Sequence, residues 1–132
     1  MSDIYFDSGV VVDVLSGHPK AIAELRRAKR PWLCRTSWLE ILGEAPPSAR
    51  EETERFLTNF TIREISPEIS RRAANLRFER PKVGLGAALV FAAAQEHGGI
   101  LVTRNIKDVA RTGAALFNPW EDDPAACPLA GS

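Results

Sequence analysis

Three acids in this sequence fall where a sheet protein could put them to work. Asp7 follows the apolar triplet Ile4-Tyr5-Phe6, and Glu40 stands one turn into the segment after Trp32-Leu33-Cys34. Asp108 stands one turn beyond Ile100-Leu101-Val102. If the triplets are parallel strands, all three carboxylates project from strand carboxyl ends, where open α/β sheets bind ligands. Acids gathered there repel one another unless a divalent cation neutralises them, and Mg2+ or Mn2+ prefers such oxygen donors. A cation so held can activate water and steady the charge developing on a phosphodiester. Each acid also has a structural reading. Ser37 and Glu40 have the S-x-x-E spacing of a capping box, in which the glutamate only bonds its own helix start. Asn105 and Asp108 share that spacing, and an acid there favours a helix N-terminus in any case. Asp7 could be a turn residue, and a solvated helix face explains Asp13 and Glu44.

The elements that must position these acids follow from apolar spacing and punctuation. Ile4-Tyr5-Phe6 predicts a first strand, and Ser8 is an N-cap for a helix carrying Val10, Val11, Val14 and Leu15, stopped by Gly17. Pro19 starts a second helix with Ile22 and Leu25 inward, ending in the basic patch Arg26, Arg27, Lys29 and Arg30. Pro31 breaks it before the strand Trp32-Leu33-Cys34, and Thr36 or Ser37 caps a short helix through Leu42. Ser48 and Glu51 form a capping box for a helix toward Phe56 and Leu57. Ile62 and Ile65 flank a third strand, and Ser66-Pro67-Glu68 opens a helix with Ile69, Ala73 and Leu76 on one face. The Ala-rich stretch 87–97 is apolar nearly all round, which predicts the central buried helix, ended by His97-Gly98-Gly99. Ile100-Leu101-Val102 fits a buried parallel strand, Asn105 begins a short helical turn, and Ala115-Leu116-Phe117 is a candidate last strand. Strands alternating with helices predict a parallel α/β sheet sandwiched by helices.

Composition narrows the class. At 132 residues the chain holds one core, and 45 % hydrophobic with 26 % charged residues is ordinary for a soluble globular domain. The net charge is zero, but Glu121, Asp122 and Asp123 all lie near the end, so residues 1–120 lean mildly basic. Residues 121–132 have little to bury and are expected to form a frayed tail. Cys34 sits in an apolar run and Cys127 in a Pro/Ala-rich one; neither fits a metal knuckle or a disulfide framework, which favours a reducing cytoplasm. The start Met1-Ser2-Asp3-Ile4 lacks a signal-peptide pattern, and the longest apolar run, Ala87 to Ala94, is too short to span a bilayer. No membrane role is expected.

The motifs, taken in order, resemble a known family. Ile-Tyr-Phe-Asp7-Ser8-Gly-Val-Val resembles the strand-Asp-Thr-Asn-Val opening of PIN-domain ribonucleases, especially the VapC-type toxins of type II toxin–antitoxin pairs. Ser37-Trp-Leu-Glu40-Ile-Leu-Gly is similar to their second acidic motif, and Thr103-Arg104-Asn105-Ile-Lys-Asp108 to their Thr-Arg-Asn-x-x-Asp segment. Asn118-Pro119-Trp120 resembles their usual finish. The resemblance spans about residues 3–120, with the 103–108 block its most specific match. It implies one PIN-like nuclease domain over 1–120, a three-layer α/β fold with a central parallel sheet flanked by helices.

Two departures from the family pattern stand out. Gly9 occupies the place of an asparagine, and the Leu-Gly-Asp-Ala-Leu string that opens the long apolar helix here reads Leu85-Gly86-Ala87-Ala88-Leu89. Ala87 therefore stands where the family has a metal-binding aspartate. It is either an alanine in an Ala-rich helix that marks a natural loss of activity, or a deliberate Asp→Ala change made to tolerate a toxic nuclease.

The resemblance further implies that Asp7, Glu40 and Asp108 bind Mg2+ or Mn2+. Ser8 supports Asp7, Thr103 and Asn105 shape the site, and Arg104 reaches a phosphate or is a plain surface arginine. It implies metal-assisted cleavage of tRNA or rRNA, a VapB-like antitoxin that covers the site, promoter DNA bound only through that antitoxin, and a homodimer. Trp38, Leu39 and Ile41 are expected to offer the antitoxin an apolar surface, or else to pack into the domain's own core. The competing class is a catalytically dead PIN fold that binds RNA or protein without cutting. A phosphatase or response-regulator-like domain lacks the strand-end nucleophile and later lysine it needs.

Overall fold

The computed structural model describes residues 3–104 and the backbone of the strand 115–117. In chain order the elements are β1 (Ile4–Phe6), α1 (Ser8–Leu15), α2 (Pro19–Arg27), β2 (Pro31–Cys34), α3 (Arg35–Glu44), a 3-10 turn (Pro47–Ala49) and α4 (Arg50–Leu57). They continue with β3 (Thr61–Arg63), α5 (Pro67–Glu79), α6 (Leu85–Glu96), β4 (Ile100–Val102) and β5 (Ala115–Phe117). The five strands form one sheet in the order β3-β2-β1-β4-β5, every pairing parallel. Helices cover both faces, so the expected three-layer α/β arrangement is the one observed. Among the described residues no helix is long and apolar enough to cross a membrane.

Alternation along the strands sorts the two cores. Tyr5, Cys34 and Leu101 point into one cluster with Ile69, Ala73 and nearly all of α6. Their neighbours Phe6, Leu33 and Val102 point into the other, with Val10, Val11, Ala21, Ile41, Leu42, Leu57 and Phe60. Residues Ala88 to Ala94 of α6 are all buried, which is what an all-round apolar helix requires. Ala93 and Ala94 in this run present only methyl groups, and small side chains let a helix lie close to a sheet. Gly98 ends the helix in the left-handed region at φ 64°, a conformation that costs a side-chain-bearing residue about 1 kcal/mol or more.

Several local expectations give way to packing. Asp7, not Ser8, caps α1. Pro31 is the first residue of β2 and not a breaker ahead of it; as the first residue of a strand it can omit the N–H that an interior position would need. The capping boxes at Ser37/Glu40 and Ser48/Glu51 do not form: α3 is capped at Cys34 and α4 at Ala49, neither through a side chain. Ser37 is instead buried within α3, and Thr53 bonds back to the Ala49 carbonyl at 2.8 Å. Ser66 does cap α5, accepting from the Ile69 N–H at 3.1 Å.

Candidate active site

The strand order reverses direction at β1, whose neighbours are β2 on one side and β4 on the other. At such a switch point the helices leave the sheet in opposite directions and a crevice opens beyond the strand ends. Asp7, the residue after β1, and Thr103, the residue after β4, meet in that crevice: the Thr103 hydroxyl donates to Asp7 Oδ2 at 2.7 Å. The Asp7 N–H donates to the Val102 carbonyl at 3.0 Å, continuing the ladder one step past the strands. Asp7 is only 9 % exposed, and its Oδ1 accepts from the Ser8 N–H at 2.9 Å. Burial raises the Asp7 carboxyl above its ordinary value; the bonds from Thr103 and Ser8 and the charge of Arg104 pull the other way and lose.

Glu40 approaches the same place from α3. Because it bonds no helix start, its carboxylate is available to the crevice, and it makes no ion pair among the described residues. Its carboxyl is raised by burial first, then by the negative charge of Asp7 and that of Glu44. Glu40 is thus near enough to Asp7 for the Asp7 charge to oppose its ionisation.

The third wall is the start of α6. A Cβ added at Gly86 would lie 2.6 Å from Glu40 Oε1 and 3.0 Å from its Cδ, so the glutamate rests directly against the bare backbone of that first turn. Ala87 is the next residue, partly buried against the α5–α6 core. The α6 N-terminus has no side-chain cap and no acid in its first turn. An aspartate at 87 would add negative charge at a helix end that favours it, close to Glu40.

Sequence reasoning gave too little weight to two residues here. Gly86 is needed for the approach of Glu40. Asp13, set aside as part of a solvated face, meets Arg104 Nε at 3.2 Å through its Oδ2. That oxygen is buried and the contact lacks hydrogen-bond geometry, so charge alone holds the pair. The signal available was the i, i+4 spacing of Gly9 and Asp13, which sets them on one face of α1. Asn105 and Asp108 lie outside the described residues. Among the described residues no group of three His, Cys, Asp or Glu side chains is placed to hold a metal ion.

The apolar surface expected at Trp38, Leu39 and Ile41 is mostly interior. Ile41 is buried and Trp38 packs against the core with the Arg35 guanidinium 5.1 Å from its ring, leaving Leu39 as the exposed member. A ten-residue helix over this sheet needs those side chains inside.

A parallel sheet with a carboxylate at its switch point defines a class of α/β domains that bind ligands beyond their strand ends. Residues 4–114 match the model of the PIN domain, and the chain belongs to that family. It is 31 % identical to a chain of a toxin–antitoxin complex from Klebsiella pneumoniae, covering 91 % of this chain and all of that one, with a TM-score of 0.79. The fold is shared with chains of FitAcB from Neisseria gonorrhoeae (17 % identity, 90 % and 99 % covered, TM-score 0.74) and of promoter-DNA-bound VapBC2 from Rickettsia felis (21 %, 87 % and 98 %, 0.69). No curated protein matches the sequence at a significant level.

Proposed function

We propose that this chain is the toxin of a toxin–antitoxin pair, built as a metal-dependent endoribonuclease and disabled by alanine at position 87. The observation that carries this reading is Glu40, from a separate element, close enough to Asp7 for the Asp7 charge to raise its carboxyl, with Gly86 at the α6 start against it. Two neighbouring carboxylates would offer an all-oxygen donor set of the kind Mg2+ or Mn2+ takes. Asp7 and Glu40 would hold the ion, with Asp108 as a further ligand, and the ion would supply activated water and neutralise charge on a scissile phosphodiester. Thr103 keeps Asp7 Oδ2 oriented, and Ser8 does the same for Oδ1 through its backbone N–H. With Ala87 in place of an acid, a ligand charge would be missing and the ion would be held weakly.

The similarity to a chain of a toxin–antitoxin complex supports an antitoxin partner, which the motif resemblance would seat over the crevice. We further propose, from the motif resemblance alone, that the protein works in the cytoplasm on tRNA or rRNA as a homodimer and reaches promoter DNA only through the antitoxin. Ala87→Asp tests the core of the reading. The variant should cleave RNA in Mg2+ or Mn2+ and stop when EDTA is added, while the parent chain should not. Robust, chelator-sensitive cleavage by the parent would overturn the inactivation. A folded Ala87→Asp protein that binds RNA without cutting it would favour the alternative, a PIN fold kept as a binding module.

A further inference from the structure

Arg104 follows the threonine that bonds Asp7, and its guanidinium folds across the first turn of α1. A Cβ added at Gly9 would come within 3.0 Å of Arg104 Nη2, 3.6 Å of Nε and 3.7 Å of Cζ. The missing side chain at position 9 is therefore the notch in which the guanidinium lies. One turn further along α1, Asp13 holds it by charge at 3.2 Å. The Arg104 side chain keeps 49 % of its surface exposed, while Asp13 keeps 19 %, so the anchor is inside and the cation faces outward.

We propose that Gly9 and Asp13 are positioning residues that present Arg104 as a phosphate clamp for a nucleic-acid strand at the mouth of the carboxylate crevice. This rests on the nuclease reading above for its choice of ligand. A site that gathers carboxylates repels the phosphates it must approach, and a fixed cation beside it offsets that repulsion. Arginine suits the task because its planar fork binds phosphate oxygens in pairs and never loses its charge. The rival is a structural clasp, in which Arg104 only ties the exit of β4 to α1.

The two roles differ in sign as well as size. Binding is read by fluorescence anisotropy of a labelled mixed-sequence single-stranded RNA with the parent chain in EDTA, and turnover with the Ala87→Asp protein. Arg104→Ala should weaken binding about tenfold and raise KM to match, with kcat changed by no more than about twofold. Arg104→Lys should recover part of the loss. Gly9→Ala favours the helix, so it should hold or raise the thermal midpoint while weakening RNA binding severalfold, because the new methyl pushes the guanidinium from its seat. Asp13→Asn removes a negative charge and by bulk electrostatics should tighten RNA binding; if Asp13 positions Arg104, binding weakens instead. Unchanged RNA affinity in folded Arg104→Ala, or tighter binding in Asp13→Asn, overturns the proposal even if Ala87→Asp cleaves RNA. Weakened binding with no cleavage by Ala87→Asp would sink the nuclease reading and leave the clamp standing.

Discussion

Beyond the carboxyl ends of the central strands Glu40 feels the negative charge of Asp7, whereas Asp3, Glu64 and Glu96, toward the β3 side of the molecule, each face an arginine. On the β3 side, Arg63 donates from Nε to the Tyr5 hydroxyl at 2.9 Å and from Nη2 to Asp3 at 3.1 Å, with its guanidinium 4.2 Å from the Trp32 ring centre. Arg35 donates through Nε to Glu64 at 2.8 Å, and Arg72 pairs with Glu96. Glu64 is accordingly held below the usual carboxylate range, chiefly by its bond from Arg35. At the crevice both acids are raised. Where charges serve the fold they are paired; at the crevice the acids lack such a partner bond and the fold tolerates a cost that protonation or a bound cation would relieve.

The sharpest way to break this contrast is to neutralise one acid on each side. In the Ala87→Asp protein, Asp7→Asn should lower RNA cleavage by roughly a hundredfold or more, the scale on which single electrostatic contacts act in active sites. Glu64→Gln should leave it unchanged. Equal losses in the two would remove the distinction between functional and structural acids.

Divalent metal should separate the regions next. Adding Mg2+ or Mn2+ at about a hundred times its dissociation constant should stabilise Ala87→Asp by about 2.7 kcal/mol, and EDTA should erase the gain. The parent chain should gain less at the same concentration. Calorimetric midpoints that move equally in both proteins would show that position 87 is no ligand.

Removing an arginine should hurt the paired side through stability instead. Arg63→Ala withdraws a donor from the buried Tyr5 hydroxyl, a partner from Asp3 and a cation from the Trp32 face, and should cost about 2 kcal/mol in urea unfolding. No change in the unfolding midpoint would mean that this network is ornamental.

The smallest expected effect is in the pH dependence, and it has opposite signs on the two sides. Asp7 and Glu40 have folded values raised above the ordinary 3.8 and 4.5, so the folded state takes up their protons first. In metal-free protein their contribution to stability therefore improves as pH falls through the raised values, and is complete below the ordinary ones. Glu64, with its value lowered, contributes stability above its ordinary 4.5 and loses it as pH falls through the folded value. Denaturation of the parent, Asp7→Asn and Glu64→Gln between neutral and mildly acidic pH separates these. Asp7→Asn should lose part of the acid-side gain, and Glu64→Gln should lose part of the acid-side decline.

Much of this protein was already determined by its one-dimensional pattern. Apolar triplets spaced by helices specify a parallel sheet, and the run Ala88 to Ala94 can only be a helix buried on all sides. Acids placed just after strands must emerge at the ligand-binding edge, because strand direction fixes which end they leave from. What no spacing could decide was which local option each residue takes. Ser37 and Glu40 satisfied the capping pattern, yet Ser37 is buried and the Glu40 carboxylate rests against Gly86; Trp38 and Ile41 read equally as surface or core. Those choices rest on contacts between residues far apart in the chain: Thr103 on Asp7, Gly86 under Glu40, and Arg104 seated over Gly9 and held by Asp13. Local bonds in a helix repeat every three or four residues and are visible in sequence. A switch-point crevice exists only once β1 lies between β2 and β4, so the partners it brings together are decided by the tertiary fold.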